Sequence, residues 1–245
     1  MALLLAIDAS SRTYAVAAGA GARPDAVRTA RRGDPGFEGV GGLASAALAD
    51  LDARFRDVEA IAVDTGPGGL SSIRSAVAYA NGLAFSLGVR VFPVTSLELM
   101  AIAAEGATGA KATAADPVLS LKRAQGGNVY AGLFADGEMT VMRHGQPGEI
   151  LPGLTGGLAA LRLAGLSAAD LGGLAVAGLT GGVAEAGLDA LTGGAAVTET
   201  GIGEADVTVL YETAKAGAHD PDRTAALATA LNEGSPVFHP DKAGG

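Results

Sequence analysis

Leu3-Leu4-Leu5-Ala6-Ile7-Asp8-Ala9-Ser10-Ser11 opens the chain as an apolar run closed by an acid and two hydroxyls. That is the composition of a buried strand feeding a tight turn. Tyr14–Ala18 and Ala26–Arg31 read as two further strands, so three strands come before any helix. From Phe37 the period changes. Phe37, Val40, Leu43, Ala44, Ala47, Leu48, Leu51 and Phe55 recur at spacings of three and four, which predicts an amphipathic helix. Ile61–Val63 reads as a strand entering Thr65-Gly66-Pro67-Gly68-Gly69, and Leu70, Ile73, Val77, Ala80, Ala84 and Leu87 predict a second helix. Val89–Val94 is a strand, and Ser96 is placed as the cap of a third helix running through Ala104, with Glu98 in its first turn. The first half therefore reads β-β-β-α-β-α-β-α.

Glu105–Asp116, rich in Ala, Gly and Thr, marks the expected boundary. Beyond it the same order is read again. Val118–Leu121, Val129–Phe134 and Met139–Arg143 are taken as strands, then Leu158–Leu163 as a helix. Leu174–Ala177 (strand), Val183–Leu191 (helix), Ala195–Thr198 (strand) and Val207–Ala216 (helix) complete the second unit. A duplicated βββαβαβα unit builds the two-lobed actin-like ATPase and sugar-kinase (ASKHA) fold, an α/β class. The expected domains are residues 1–104, 105–218, and a tail of 219–245 with one short helix at Arg223–Leu231.

Composition bounds the function. The 245 residues include 38 Gly and 53 Ala with only 4% aromatics, so the core is built from small side chains, Leu and Val. Seventeen basic against 26 acidic residues give a net charge of -9, which disfavours a chain that grips nucleic acid through its summed field. No Cys is present, so disulfides, thiol nucleophiles and thiolate metal sites are excluded. His144, His219 and His239 stand far apart, with none at the i, i+4 spacing of a helical zinc pair. The N-terminus lacks the basic segment and apolar length of a signal peptide, no window approaches a membrane span, and a cytoplasmic location is expected.

Leu5-Ala6-Ile7-Asp8-Ala9-Ser10-Ser11, Ala62-Val63-Asp64-Thr65-Gly66-Pro67-Gly68 with Ile73-Arg74, Asn81-Gly82-Leu83-Ala84 and Val94-Thr95-Ser96-Leu97 together resemble the TsaB (YeaZ) family. That family is the non-catalytic subunit of the bacterial complex that makes threonylcarbamoyladenosine in tRNA, and a paralogue of the catalytic subunit TsaD. The resemblance is dense to about residue 104 and thin beyond. Where the family usually has Ser-Phe-Thr-Gly-(Leu/Val)-Arg, this chain has Gly69-Leu70-Ser71-Ser72-Ile73-Arg74. In the second half, an acidic position of the family is occupied by Lys122. The resemblance implies a scaffold that docks the first-lobe helices onto a TsaD-like subunit, with Val40, Leu43, Ala47, Ile73, Val77 and Tyr79 as contacts. It also implies a homodimer when the chain is alone, a TsaE-like ATPase as a further partner, and tRNA reached only through the complex. No tightly bound cofactor is implied, and ATP or ADP is placed at the complex interface.

Two turns stand as weak nucleotide-binding candidates. Asp8, Ser10 and Ser11 lie where the actin-like fold places its first phosphate hairpin, and the same residues equally satisfy a plain turn. Gly66 and Gly68 join a strand to a helix N-terminus, without the Lys-Ser/Thr of a P-loop or the spacing of a Rossmann fingerprint. Arg74 is placed against an anion or in a pair with Asp64. Gly178-Leu179-Thr180-Gly181-Gly182 is a third, weak candidate for holding adenosine. The competing functional reading is a small ATP-dependent kinase or acyl transferase with Asp8 and Asp64 near the phosphates.

Overall fold

In the computed structural model, which describes residues 2–166, 195–202, 206–217, 224, 225 and 228–231, the opening run is strand β1, Leu3–Asp8, buried from Leu4 onward. Burial on both faces is what an unbroken apolar run in a central strand demands. β1 turns into antiparallel β2, Thr13–Gly19, and β2 into antiparallel β3, Ala26–Arg31. β4, Val58–Asp64, and β5, Val91–Val94, join in parallel, giving the five-stranded order β3-β2-β1-β4-β5.

Helices α1, Gly39–Ala49, and α2, Leu70–Leu87, cover one face of this sheet. Val40, Ala44, Ala47, Ile73, Ala76 and Val77 meet Leu5, Ile7, Val16, Ile61 and Val63 there. α1 is shorter than the Phe37–Phe55 stretch suggests. The chain tightens after Ala49 through Leu51 N–H to Leu48 O and Asp52 N–H to Ala49 O, and Asp52 turns left-handed at φ 50°. Phe55 then starts a separate 3-10 turn, Phe55–Asp57.

The second sheet repeats the plan. β6, Val118–Arg123, β7, Val129–Ala135, and β8, Glu138–Gly145, are antiparallel neighbours. β9, Ala160–Gly165, and β10, Ala196–Glu199, are parallel, giving β10-β9-β6-β7-β8. Read outward from its first strand, each sheet has the same order, so the duplicated actin-like α/β unit is present in the topology itself. Each sheet anchors one of two compact units, Met1–Leu99 with Ala205–Asn232, and Met100–Glu204 with Glu233–Gly245.

Other expected elements differ too. Leu158–Leu163 is not a helix: it overlaps β9, where Leu161–Ala164 are all buried because the strand lies between β6 and β10. Arg162, buried on that strand, donates to the backbone oxygens of Ala110, Lys111 and Asp116 at 2.8 to 3.0 Å. The helix that precedes β9 is α4, Pro147–Thr155, hidden in the sequence by Pro152 inside it. The third helix, α3, runs Ser96–Thr108, past the expected end at Ala104.

Helix α5, Val207–Gly217, the last among the described residues, packs on the first sheet, whereas the sequence boundary groups it with residues 105–218. Val207, Leu210, Tyr211 and Ala214 cover Leu4, Ala6, Ala15, Ala17 and Ala62, the face opposite α1 and α2. Downstream, Ala225 exchanges two hydrogen bonds with Val91 at the free edge of β5. The described residues of the expected Arg223–Leu231 helix, 224, 225 and 228–231, are extended or irregular instead. The Leu174–Ala177 strand and Val183–Leu191 helix lie outside the described residues. Among the described residues, no helix is long and apolar enough to cross a membrane.

Candidate functional site

Asp8 ends β1 and turns its carboxylate back on its own loop, where Oδ1 accepts the Ser10 N–H at 2.8 Å. Ser11 does the same for the next step: its Oγ accepts the Thr13 N–H and donates to the Thr13 carbonyl. The first hairpin is thus a closed Asx and Ser turn. Asp64, at the end of β4 and fully buried, behaves alike. Its Oδ1 accepts the Gly66 N–H at 2.7 Å, and both carboxylate oxygens lie 2.8 Å from Ser96 Oγ. The Ser96 hydroxyl therefore serves Asp64 rather than capping α3. The capping bond comes from Thr95, whose Oγ1 accepts the Glu98 N–H at 3.1 Å. Arg74 is exposed on α2 and is not the partner that fixes Asp64.

The two hairpins meet. A β-carbon at Gly68 would stand 2.2 Å from the Ser10 carbonyl oxygen, so only glycine permits this approach. The C-terminal segment adds a third layer, with Leu231 N–H donating to Thr65 O at 2.7 Å. Asn81 of α2 anchors the same segment, donating to Ala228 O and accepting from Ala228 N–H. The structure therefore brings Asp8, Ser10, Ser11, Gly66 and Gly68 together at the carboxyl end of β1 and β4. The amides of Ser10 and Gly66, which a phosphate would use, are bonded to Asp8 and Asp64. Gly178–Gly182 lies outside the described residues, as do His219 and His239. Among the described residues, no group of three His, Asp or Glu side chains is placed to hold a metal ion. In the second unit the loop equivalent to Asp8–Ser11 is a 3-10 turn, Gln125–Gly127, whose Gly126 carbonyl accepts from Gln146 Nε2 at 3.0 Å.

The six expected contact residues divide by burial. Val40, Ala47, Ile73 and Val77 are buried in the chain's own core, facing the first sheet, so they have no surface to offer a partner. Leu43 and Tyr79 are half-buried at its border. Tyr79 fits against Gly41 of α1, where a β-carbon would come within 3.3 Å of the ring, and burial pushes its phenol up from the ordinary value. The outer face of α2 carries what the sequence reading missed. Ser71, Arg74, Ser75, Ala78, Gly82 and Ser86 are exposed along it, with Leu70 42% and Phe85 87% exposed at its ends. The signal was the same helical period shifted by one position, which places Phe85 opposite the residues that face the sheet.

Residues 38–146 match the family model for tRNA N6-adenosine threonylcarbamoyltransferase, TsaD. A Pseudomonas aeruginosa protein described as similar to peptidase YEAZ superposes with a TM-score of 0.66 at 20% identity, covering 95% of this chain and 99% of that one. YeaZ from Pseudomonas aeruginosa gives 0.62 at 21% identity, covering 94% and 100%. The family-model match spans less than half of the chain, and the two solved structures show its fold. No curated protein matches the sequence. Helix α2 lies within the stretch matched by the family model.

Proposed function

We propose that this chain is a non-catalytic scaffold that binds a TsaD-like enzyme through the outer face of α2 and supports threonylcarbamoyl transfer to adenosine in tRNA. The observation that carries the proposal is Phe85, an aromatic ring 87% exposed beside a stripe of small residues, Ser75, Ala78 and Gly82. Small residues let a partner helix come close, and an exposed large ring beside them supplies the anchor. Covering Phe85 contributes about 2 kcal/mol of apolar burial to an association. The closed hairpins at Asp8 and Asp64 support a non-catalytic role, since both carboxylates already hold their own loops. In this reading nucleotide is engaged by the assembled complex, a TsaE-like ATPase joins it, and the isolated chain pairs with itself through the same helix.

Light scattering of the chain mixed with the TsaD-like protein of the same organism tests this. The expected result is a heterodimer that is lost with Ala78→Arg or Phe85→Asp, both exposed positions whose change leaves the fold intact. A mixture that stays as separate species, or a heterodimer indifferent to both substitutions, would overturn the reading.

A further inference from the structure

The overall negative charge conceals an uneven distribution. Residues 1–99 carry 9 basic against 10 acidic side chains, whereas residues 100–245 carry 8 against 16. Within the nearly neutral stretch 1–99, three arginines gather at one end of the β2–β3 hairpin. Thr13 and Arg31 form the last registered pair, so Arg12 just precedes it and Arg32 just follows it, and all three arginines are exposed. Like charges set side by side at a strand end repel one another unless an anion lies between them. Arg28, further along β3, is neutralised by Asp50 of the chain's own α1 region. No salt bridge joins Arg12, Arg31 or Arg32 to a carboxylate among the described residues. The nearest acid in sequence, Asp34, spends its Oδ2 on the Arg31 backbone N–H at 2.7 Å.

The position of this cluster matters as much as its charge. β3 ends where β1 ends, since β2 is antiparallel to both. The arginines therefore stand at the carboxyl end of the parallel strands β1 and β4, the side on which open α/β sheets take their ligands. The Ser10–Ser11 turn lies at the same end.

We propose that Arg12, Arg31 and Arg32 form a contact surface for the phosphate backbone of RNA, so that the chain itself touches the tRNA. Choosing RNA as the polyanion rests on the function proposed above. Guanidinium groups suit this partner, because their planar forks meet phosphate oxygens in pairs. Three such contacts position a nucleic acid without reading its sequence.

The experiment measures binding of a fluorescein-labelled, unmodified tRNA transcript by anisotropy across a KCl series. The chain is used with its TsaD-like partner and also alone. The variant R12A/R31A/R32A is compared with wild type and with Arg56→Ala, an exposed arginine at the opposite end of the sheet. The expected result is weaker binding by the triple variant, with a plot of log affinity against log salt shallower by about 2 to 3 than wild type. Arg56→Ala should follow wild type. An unchanged slope in the triple variant, no wild-type binding at low salt, or wild-type binding to anionic lipid vesicles but not to tRNA would each overturn the proposal. Gel filtration of the same variants with the TsaD-like subunit separates the two readings. A triple variant that still forms the heterodimer but binds tRNA as wild type does sinks only this proposal.

Discussion

Ser96 has one hydroxyl proton and three acceptors around it, both oxygens of Asp64 at 2.8 Å and the Pro67 carbonyl at 3.0 Å. It ties the end of β4 to the start of α3 and holds the Gly66–Gly68 loop in place. Ser96→Ala leaves a buried carboxylate short of a donor and is expected to lower stability by about 1.5 to 3 kcal/mol, measured by urea unfolding. Gly68→Ala drives a methyl group into the Ser10 carbonyl and should cost about 1 to 3 kcal/mol in the same assay. Tyr211 makes a pH prediction. Its phenol donates to Gly21 O at 2.9 Å, and burial, with the Asp25 charge adding to it, pushes its pKa up from 10.0 to about 12. The folded chain keeps this proton after the unfolded chain has released it. The contribution is therefore complete below pH 10 and is lost as pH rises to about 12. Tyr211→Phe should flatten that alkaline loss, as followed by circular dichroism against pH. Of these residue roles, the Asp8 turn was legible in the sequence. The Ser96 to Asp64 bond was not, because nothing in a sequence says which of two adjacent hydroxyls, Thr95 or Ser96, will cap the helix and which will turn back to the preceding strand.

At the scale of elements, α2 shows how far periodicity reaches. The apolar period found the helix and its sheet-facing residues, but a period has two faces, and Val77 and Ile73 belong to the one already occupied. A direct contrast follows. Val77→Arg buries an unpaired charge and should unfold the chain, whereas Phe85→Asp should leave the melting temperature nearly unchanged while removing partner binding. Differential scanning fluorimetry with gel filtration distinguishes the two effects. β9 overlaps the expected Leu158–Leu163 helix for a related reason: a strand buried on both faces needs no alternation, and a short apolar run fits either element. α5 was legible as a helix and not in its placement, since its apolar face fits any exposed sheet. Only the fold shows that it returns to β1 and β2, with Tyr211 reaching Gly21.

At the scale of the whole molecule, the first unit's three strands followed by strands alternating with helices were readable because each strand run is short, apolar and bounded by Gly, Asp or Ser turns. The second sheet has the same strand order, but its fourth strand is β9, which overlaps the expected Leu158–Leu163 helix. Net charge was less informative than its distribution, since a value of -9 for the chain coexists with an arginine cluster at the ligand end of the first sheet. The proposed function has the chain work by docking and not by chemistry of its own. Mass spectrometry of tRNA nucleosides from a deletion strain carrying variants of this chain distinguishes the two. Wild type and Asp8→Asn should both restore threonylcarbamoyladenosine, and Phe85→Asp should not. Restoration by Phe85→Asp with failure of a stably folded Asp8→Asn would contradict the account.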